Sequence, residues 1–207
     1  VCEYLRSWLN AMYLKIRSLN GTLLQYWCCD VTIAELTRQT FEQAVSQCRY
    51  PLRGLVHCAG IGWVGDTIDF KIEEARQIID VNLMGTWICA QAAVQLIQKH
   101  NLPASFVFIG TPTAAYSASK TGVHQLTRSL ASEWGGSPNI PEIRVNSVSP
   151  GIIRTPMTAD VLASGSLEEV FTENTMLKRL SQLRGGYRSE SNGKHIQNKT
   201  TLMKTGT

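Results

Sequence analysis

Short apolar runs alternate along the chain with longer stretches of helical period. The runs are rich in β-branched and aromatic residues and are bounded by turn-forming residues, which indicates buried strands. They occupy residues 23–29, 54–59, 105–110 and 143–149. Apolar residues recur every three or four positions in the stretches between them, which is typical of helices. These stretches occupy residues 32–48, 72–100 and 114–134. The alternation predicts an α/β fold with a parallel sheet covered on both faces.

Local signals mark the ends of these elements. Thr32 precedes the first helix and Glu35 follows three residues later, a spacing that predicts a capping box. Ligands of parallel sheets bind outside the carboxyl ends of the strands, so any chemistry is expected there. The residues that follow the four strands are Asp30, Gly60, Gly110 and the pair Pro150-Gly151.

Length, composition and charge narrow the class of protein. The 207 residues are 43% hydrophobic and 17% charged, which fits one globular domain. We expect that domain to span residues 1–180 and a disordered polar tail to span 181–207. The net charge of +4 comes from seven basic residues against one acidic residue in 178–207, so the folded body is mildly acidic and nucleic acid is not an expected partner. No apolar run approaches the ~18 residues of a membrane span, and no secretory signal is apparent, so we expect a cytoplasmic location.

The six cysteines show no C-x-x-C spacing. Zinc sites of the common kinds need such pairs, and disulfides are rare in a reducing cytosol. The pattern therefore favours small buried thiols and no metal.

Tyr116 and Lys120 stand four residues apart in the third helix, so they share one face. An ammonium about 5 Å from a phenol, at an effective dielectric near 20, stabilises the phenolate by roughly 3 kcal/mol. That energy lowers the pKa of the tyrosine by about two units from its usual value near 10, into the range of general acid–base catalysis. Taken alone, the spacing fits a packed tyrosine beside a solvated lysine better.

The ordered motifs change that balance. They are CDVT (29–32), HCAGI (57–61), DVNLMGT (80–86), AAYSASKTGV (114–123) and IRVNSVSPGIIRTPM (143–157). Together they resemble the short-chain dehydrogenase/reductase family, in particular its fungal polyol and ketone reductases, over roughly residues 20 to 180. The resemblance implies a Rossmann-like doubly wound parallel sheet and hydride transfer between a ketone or ketose and a secondary alcohol. It implies NADP as the cofactor, with NAD left open.

The resemblance also implies a role for each matched residue. Tyr116 would give a proton to the substrate oxygen, and Lys120 would hold the nicotinamide ribose and lower the tyrosine pKa. Asn82 would hold a water that links the lysine to solvent. The residues that would line the cofactor, besides Tyr116 and Lys120, are Asp30, Ala59, Gly60, Pro150, Gly151, Ile153 and Thr155.

Three departures from the family pattern bear on activity. No T-G-x-x-x-G-x-G turn is present to cradle a pyrophosphate, and we expect the first two strands and the last strand of the sheet to be missing. The family has a serine about thirteen residues before the tyrosine, but here only residues 111–115 separate Gly110 from Tyr116. Cys58 stands where the family usually has asparagine.

We therefore expect a truncated oxidoreductase whose activity is impaired. The alternative is a non-catalytic pseudoenzyme or assembly module of the same fold. In both cases the expected partner is a second copy of the chain, bound through helices 72–100 and 114–134. The substrate, whether polyol, ketose or another ketone, stays open.

Overall fold

The computed structural model describes residues 27–62, 66–110, 114–163, 168–169, 172–173 and 179–182. Its centre is a parallel sheet of three strands in the order β1-β2-β3. The strands are β1 (Gly54–His57), β2 (Ala104–Ile109) and β3 (Ile143–Val148). Three of the predicted strands are thus confirmed to within two residues at each end, and so is their parallel pairing.

Helices precede, connect and follow these strands. They are α1 (Ala34–Ser46), α2 (Ile72–Ile79), α3 (Gly85–Gln98), α4 (Ala114–Trp134) and α5 (Pro156–Ala163), and a π-helical segment (Asp80–Met84) joins α2 to α3. A second, two-stranded parallel sheet pairs β4 (Ile153–Arg154) with β5 (Ser181–Gln182). The three helices expected from the apolar period are therefore present. In the described part of the chain, none of the helices is both long and apolar enough to cross a membrane.

The core lies between the sheet and the pair α3–α4. Phe106 and Phe108 are fully buried, and the Phe106 ring meets the Trp134 ring edge-on, with centroids 5.8 Å apart. Burial along β2 alternates with period two, because every second side chain points to the face that α3 and α4 cover. Residues on the other face, such as Val107, are only half-buried. The expected coverage of both faces is therefore incomplete within the described residues.

Gly122 lets α4 approach the π-helical segment. A Cβ at that position would lie 2.9 Å from Cδ2 of Leu83, closer than two carbon atoms pack. The small residue in the apolar stripe of the sequence thus sets how near the two helical elements come, and that spacing positions the site described below.

The prediction of a strand at 23–29 and the capping box are not borne out. Residues 23–26 lie outside the described residues, and 27–29 form no strand. The Asp30 carbonyl instead accepts hydrogen bonds from Ile33 N and Thr37 Oγ1, both at 3.2 Å, and so leads the chain into α1. The N-cap of α1 is Ile33, whose aliphatic side chain cannot accept a hydrogen bond, and the Thr32 hydroxyl, one residue earlier, donates to Asp30.

The cysteines differ in part from expectation. Cys29, Cys48, Cys58 and Cys89 are free thiols, as expected, but of these Cys89 alone is buried, since Cys29 is half-buried and the other two are exposed. Cys28 is disulfide-bonded. Residues 27–30 belong to neither a helix nor a strand and Cys28 is exposed, so its side chain is not enclosed between sheet and helix as a buried strand residue would be. Ser181–Gln182, the first two residues of the expected tail, pair with β4, and 183–207 lie outside the described residues, so the division into domain and tail stays a prediction.

Candidate active site

Lys120 is buried beneath the first turns of α4. Its side chain is only 3% exposed, and its Nζ donates a 3.0 Å hydrogen bond to the carbonyl of Ile109, the last residue of β2. The same Nζ lies 5.6 Å from the centroid of the Tyr116 ring, over the ring face, a cation–π distance. Burial lowers the pKa of the Lys120 ammonium, so this group releases a proton more readily than a surface lysine does. The helix therefore brings the predicted pair together at the end of a strand.

Asn82 is fully buried in the π-helical segment. Its Oδ1 accepts a 2.8 Å hydrogen bond from Ile61 N, and its Nδ2 donates to Ile61 O at 3.0 Å and to Ser119 Oγ at 3.1 Å. The Ser119 hydroxyl in turn donates to the Tyr116 carbonyl at 2.6 Å. Asn82 thus ties the loop after β1 to the helix that carries Tyr116. Its amide is occupied by protein groups, and its role toward a water stays a prediction.

The backbone at Gly60 passes close to these side chains. A Cβ on Gly60 would stand 3.3 Å from Lys120 Nζ and 3.4 Å from Asn82 Oδ1. A Cβ on Gly62 would stand 3.0 Å from Cδ2 of Tyr116. Because both glycines lack that atom, the Ala59–Gly62 loop leaves space beside the Tyr116–Lys120 pair. We name Tyr116, Lys120, Asn82 and this loop the acid–base cluster.

His57 is a buried member of the same neighbourhood that sequence reasoning missed. The Thr86 hydroxyl donates to the Asn82 carbonyl at 2.6 Å, so at its 3.1 Å contact with His57 Nδ1 it must accept. The tautomer is therefore Nδ1–H, and Nε2 is buried without a hydrogen-bond partner among the described residues. Burial, with the nearby Lys120 charge, lowers the pKa of His57 to about 4. Its place at the carboxyl end of β1, just before Gly60, was the signal that could have found it.

The predicted nicotinamide-side residues lie beyond the end of β3. Pro150 and Gly151 are in the turn that leads to β4, which contains Ile153. Thr155 N donates to Thr158 Oγ1 at 2.9 Å, and that hydroxyl donates to the Ile153 carbonyl at 2.8 Å, so Thr158 fixes the start of α5. We name residues 149–155 the β3–α5 turn. A shallow groove of about 540 Å³ borders it, lined by Arg154, Thr155, Ala159, Leu162 and Ala163.

Asp30 belongs to a separate neighbourhood. Its Oδ1 accepts hydrogen bonds from Thr32 N at 3.0 Å and from Thr32 Oγ1 at 2.7 Å, and these bonds lower the pKa of the carboxyl. None of the contacts in the described part of the chain joins Asp30 to the acid–base cluster. Its predicted place at an adenine ring stays a prediction.

The donor set suits one end of a nicotinamide dinucleotide. A buried ammonium with one of its three protons on Ile109 has others to give to ribose hydroxyls, and the missing Cβ of Gly60 gives that ribose room. The sequence contains no T-G-x-x-x-G-x-G turn to hold the pyrophosphate. The residues that would hold the nicotinamide-ribose end are therefore Lys120, Tyr116 and the Gly60 backbone.

Comparisons with known proteins identify the family. The family model described as enoyl-(acyl carrier protein) reductase matches residues 14–184. A short-chain dehydrogenase/reductase of Aspergillus versicolor, notP′, is 41% identical over 170 residues, which are 77% of this chain and 58% of that protein. The chain belongs to the short-chain dehydrogenase/reductase family. The family predicted from the five ordered motifs is thus confirmed.

Other relatives bear on chemistry and fold. The ribulose-forming D-arabinitol 2-dehydrogenase of Candida tropicalis is 29% identical over 167 residues, 75% of this chain and 58% of that protein. The crystal structure of a putative NAD(P)-dependent gluconate 5-dehydrogenase from Beutenbergia cavernae, with bound NADP, matches with a TM-score of 0.69 at 26% identity, covering 78% of this chain and 66% of that one. The Rossmann-like fold of this dehydrogenase family is thereby confirmed. The chain spans 58% of the length of the two sequence relatives.

Proposed function

We propose that the protein is an NAD(P)-dependent oxidoreductase that interconverts a ketone or ketose and a secondary alcohol. The supporting observation is the meeting of Tyr116, Lys120 and Asn82 around the Gly60 backbone, at the carboxyl ends of β1 and β2. Similar proteins include a polyol dehydrogenase and an NADP-bound dehydrogenase structure, and we propose NADP as the cofactor on that ground.

Each side chain has a task in this proposal. The cofactor, when bound, supplies or takes the hydride. Tyr116 gives its phenolic proton to the carbonyl oxygen of the substrate, and the Lys120 ammonium beside the ring stabilises the phenolate that is left. Lys120 also holds ribose hydroxyls. Asn82 binds the Ile61 backbone and the Ser119 hydroxyl, and Ser119 binds the Tyr116 carbonyl. These bonds keep the phenol and the ammonium together.

Carbonyl reduction by this chain is expected to be slow. Residues 111–115 are too few for the serine-bearing loop of the family pattern, so the second hydroxyl that would hold the substrate oxygen is missing. Loss of one oxyanion donor typically reduces the rate by about 10²–10³.

Cofactor binding and single-turnover reduction test this proposal. NADPH fluorescence is titrated against the purified chain, and oxidation of the bound NADPH is then followed with D-ribulose and with other small ketoses and ketones. Saturable binding is expected, with reduction that Tyr116→Phe slows by roughly 10²-fold or more while binding is kept. Ser117→Ala, a neighbouring hydroxyl on the same helix, is the matched control and should change neither. Absence of saturation at millimolar NADPH, or reduction indifferent to Tyr116→Phe, contradicts the proposal.

The short stretch between Gly110 and Tyr116 favours a second candidate, a non-catalytic module that associates with a copy of itself or with an intact relative. Leu126 and Leu130, on the apolar stripe of α4, are buried in the chain's own core. An interface through α4 must therefore use its exposed residues, such as Gln125. Light scattering tests this candidate: a monomer that neither binds nor inhibits an intact relative contradicts it.

A further inference from the structure

His124 extends the stripe of α4 that carries the acid–base pair. It lies one helical turn beyond Lys120 and two turns beyond Tyr116, at steps of four residues, so the three side chains share a face. The proposed reaction assigns it no task. Both nitrogens of its imidazole nonetheless bind hydroxyl groups.

Those hydroxyls belong to the end of β3. His124 Nδ1 lies 2.8 Å from Ser147 Oγ, and His124 Nε2 lies 2.8 Å from Ser149 Oγ. The two serines are two residues apart, so they face the same side of the extended chain, toward α4. A neutral imidazole has one donor and one acceptor, and a hydroxyl serves as either, so both bonds are satisfied in either tautomer.

Gly110 borders the His124 ring on a further side. A Cβ on Gly110 would overlap the His124 ring, so only glycine leaves room for the imidazole there. Gly110 N donates to the Val148 carbonyl at 2.8 Å, and Lys120 Nζ binds the carbonyl of the residue just before Gly110. The imidazole therefore joins the ends of two neighbouring strands to the helix that carries the acid–base pair.

We propose that His124 is a positioning residue of the active site. Through Ser149 it holds the start of the β3–α5 turn, which contains Gly151 and Ile153, at a fixed place relative to Tyr116. The inference rests on the proposed function for its catalytic meaning. The mechanical claim is that the imidazole sets the position of the turn. It depends only on the hydrogen bonds of His124 with Ser147 and Ser149.

The charge state of His124 offers a way to observe this coupling. Burial, with the charges of Arg128 and Lys120, lowers the pKa of the imidazole, so it is neutral near pH 7. When the pH falls and the ring gains a proton, both nitrogens become donors, and both serine hydroxyls must turn to accept. The start of the turn should sense that change even without cofactor.

Nuclear magnetic resonance of the isotope-labelled full chain tests the mechanical claim. The chain has four histidines, and their imidazole signals are followed from about pH 8 down to about pH 5 together with the backbone amides. The Gly151 and Ile153 amides are expected to shift with the same midpoint as the His124 imidazole. His124→Gln should remove that shift, whereas His100→Gln, at an exposed histidine, should leave it unchanged.

Serine and glycine variants keep the test decisive if His124→Gln does not fold. Ser149→Ala should uncouple the Gly151 amide from the imidazole, whereas Ser147→Ala should leave that coupling in place. Gly110→Ala should displace the ring and act like His124→Gln. Turn amides that ignore the His124 titration in the unaltered chain, or that keep following it in Ser149→Ala, overturn the proposal.

Cofactor titration separates this inference from the proposed function. If the unaltered chain binds NADPH, His124→Gln should weaken binding by roughly tenfold, the factor expected from one or two lost hydrogen bonds between neutral groups. If it binds no NADPH, the proposed function fails while the amide result still decides the position of the turn. Unchanged NADPH affinity in His124→Gln, with the turn displaced, would show that the turn does not serve the cofactor and would overturn the active-site part of the proposal.

Discussion

The acid–base cluster and the β3–α5 turn are built in opposite ways. Asn82 and Lys120 are almost wholly enclosed, and each hydrogen-bonds to backbone from another part of the chain. The β3–α5 turn is largely half-buried or exposed, and a Cβ added at Gly151 would meet nothing within 4 Å. Hydroxyl bonds hold it, from Ser149 to His124 and from Thr158 to the Ile153 carbonyl, together with the pairing of β4 with β5 and an ion pair between Arg154 and Glu168.

This difference separates two kinds of contribution to the site. Polar groups buried in the acid–base cluster become costly when a partner is removed, because no water reaches the group that is left. Groups at the turn regain water when a bond is lost, so single changes there shift position more than they lower stability. Substitutions in the acid–base cluster should therefore lower the free energy of unfolding most, whereas substitutions in the β3–α5 turn should mainly weaken ligand binding.

Removal of the Asn82 amide should have the largest effect on stability. Asn82→Ala leaves the N–H and C=O of Ile61 without their partners and opens a cavity, so the free energy of unfolding should fall by about 4 kcal/mol. Urea unfolding at neutral pH measures this. Asn139→Ala, at an exposed asparagine, is the control and should change it by less than about 0.5 kcal/mol. A loss below about 1 kcal/mol for Asn82→Ala would mean that the cluster is open to water.

His57 should make the chain acid-sensitive. Its folded pKa of about 4 is below the ordinary value of 6.5, so the unfolded chain takes up this proton first as the pH falls. The contribution of neutral His57 to the free energy of unfolding is therefore present above about pH 6.5 and is lost as the pH falls to about 4. The loss is about 3 kcal/mol, at about 1.36 kcal/mol for each unit of pKa difference.

Urea unfolding at several pH values, compared between the unaltered chain and His57→Asn, measures that contribution. An amide keeps an N–H near the place of Nδ1 but does not titrate, so the variant should lose less stability between pH 6.5 and 4. His100→Gln, at an exposed histidine, should follow the unaltered chain. Equal slopes for all three proteins would contradict the buried, neutral His57.

A larger side chain at the contact between α4 and the π-helical segment should destabilise the fold. Gly122→Val places carbon atoms against Leu83, which is 2.9 Å from the first of them, and should lower the free energy of unfolding by about 2 kcal/mol. Gly136→Val is the matched control, since nothing lies within 4 Å of a Cβ there. If both variants unfold at the same urea concentration, α4 does not depend on this contact.

Loss of the Thr158 hydroxyl should have the smallest effect on stability. Thr158→Ala removes the bonds to Thr155 N and to the Ile153 carbonyl, and should lower the free energy of unfolding by about 1 kcal/mol, as loss of a helix cap does. Thr121→Ala, at an exposed position on α4, should be neutral within about 0.5 kcal/mol. An effect as large as that of Asn82→Ala would remove the contrast between the turn and the cluster.

Local pattern was a good guide to some parts of this molecule. Apolar runs rich in β-branched and aromatic residues predicted β1, β2 and β3, because such residues suit buried strands. Apolar spacing of period 3.6 predicted α1 to α4, because that period follows directly from helix geometry. The steps of four residues predicted that Tyr116 and Lys120 meet. The capping box was wrong, because α1 begins one residue later than predicted and its N-cap is Ile33, which has no polar side chain.

Other features depend on residues far apart in the chain. Asn82 is 21 residues from Ile61, to which it is hydrogen-bonded. His124 is 23 residues from Ser147 and 25 residues from Ser149, its two hydrogen-bond partners. No spacing rule predicts such contacts, because they exist only after the strands have paired and the helices have packed on them. His57 was missed for the same reason, since its burial comes from α3 and not from its own strand.

The sequence by itself determined the family, the parallel α/β plan and the pairing of phenol with ammonium, since each follows from local periodicity or from ordered motifs. Only the tertiary structure decided which polar groups are cut off from water and which hydroxyls a ring nitrogen reaches. The physical reason is that desolvation and hydrogen-bond geometry depend on what packs around a group, and packing brings together residues that the sequence keeps apart.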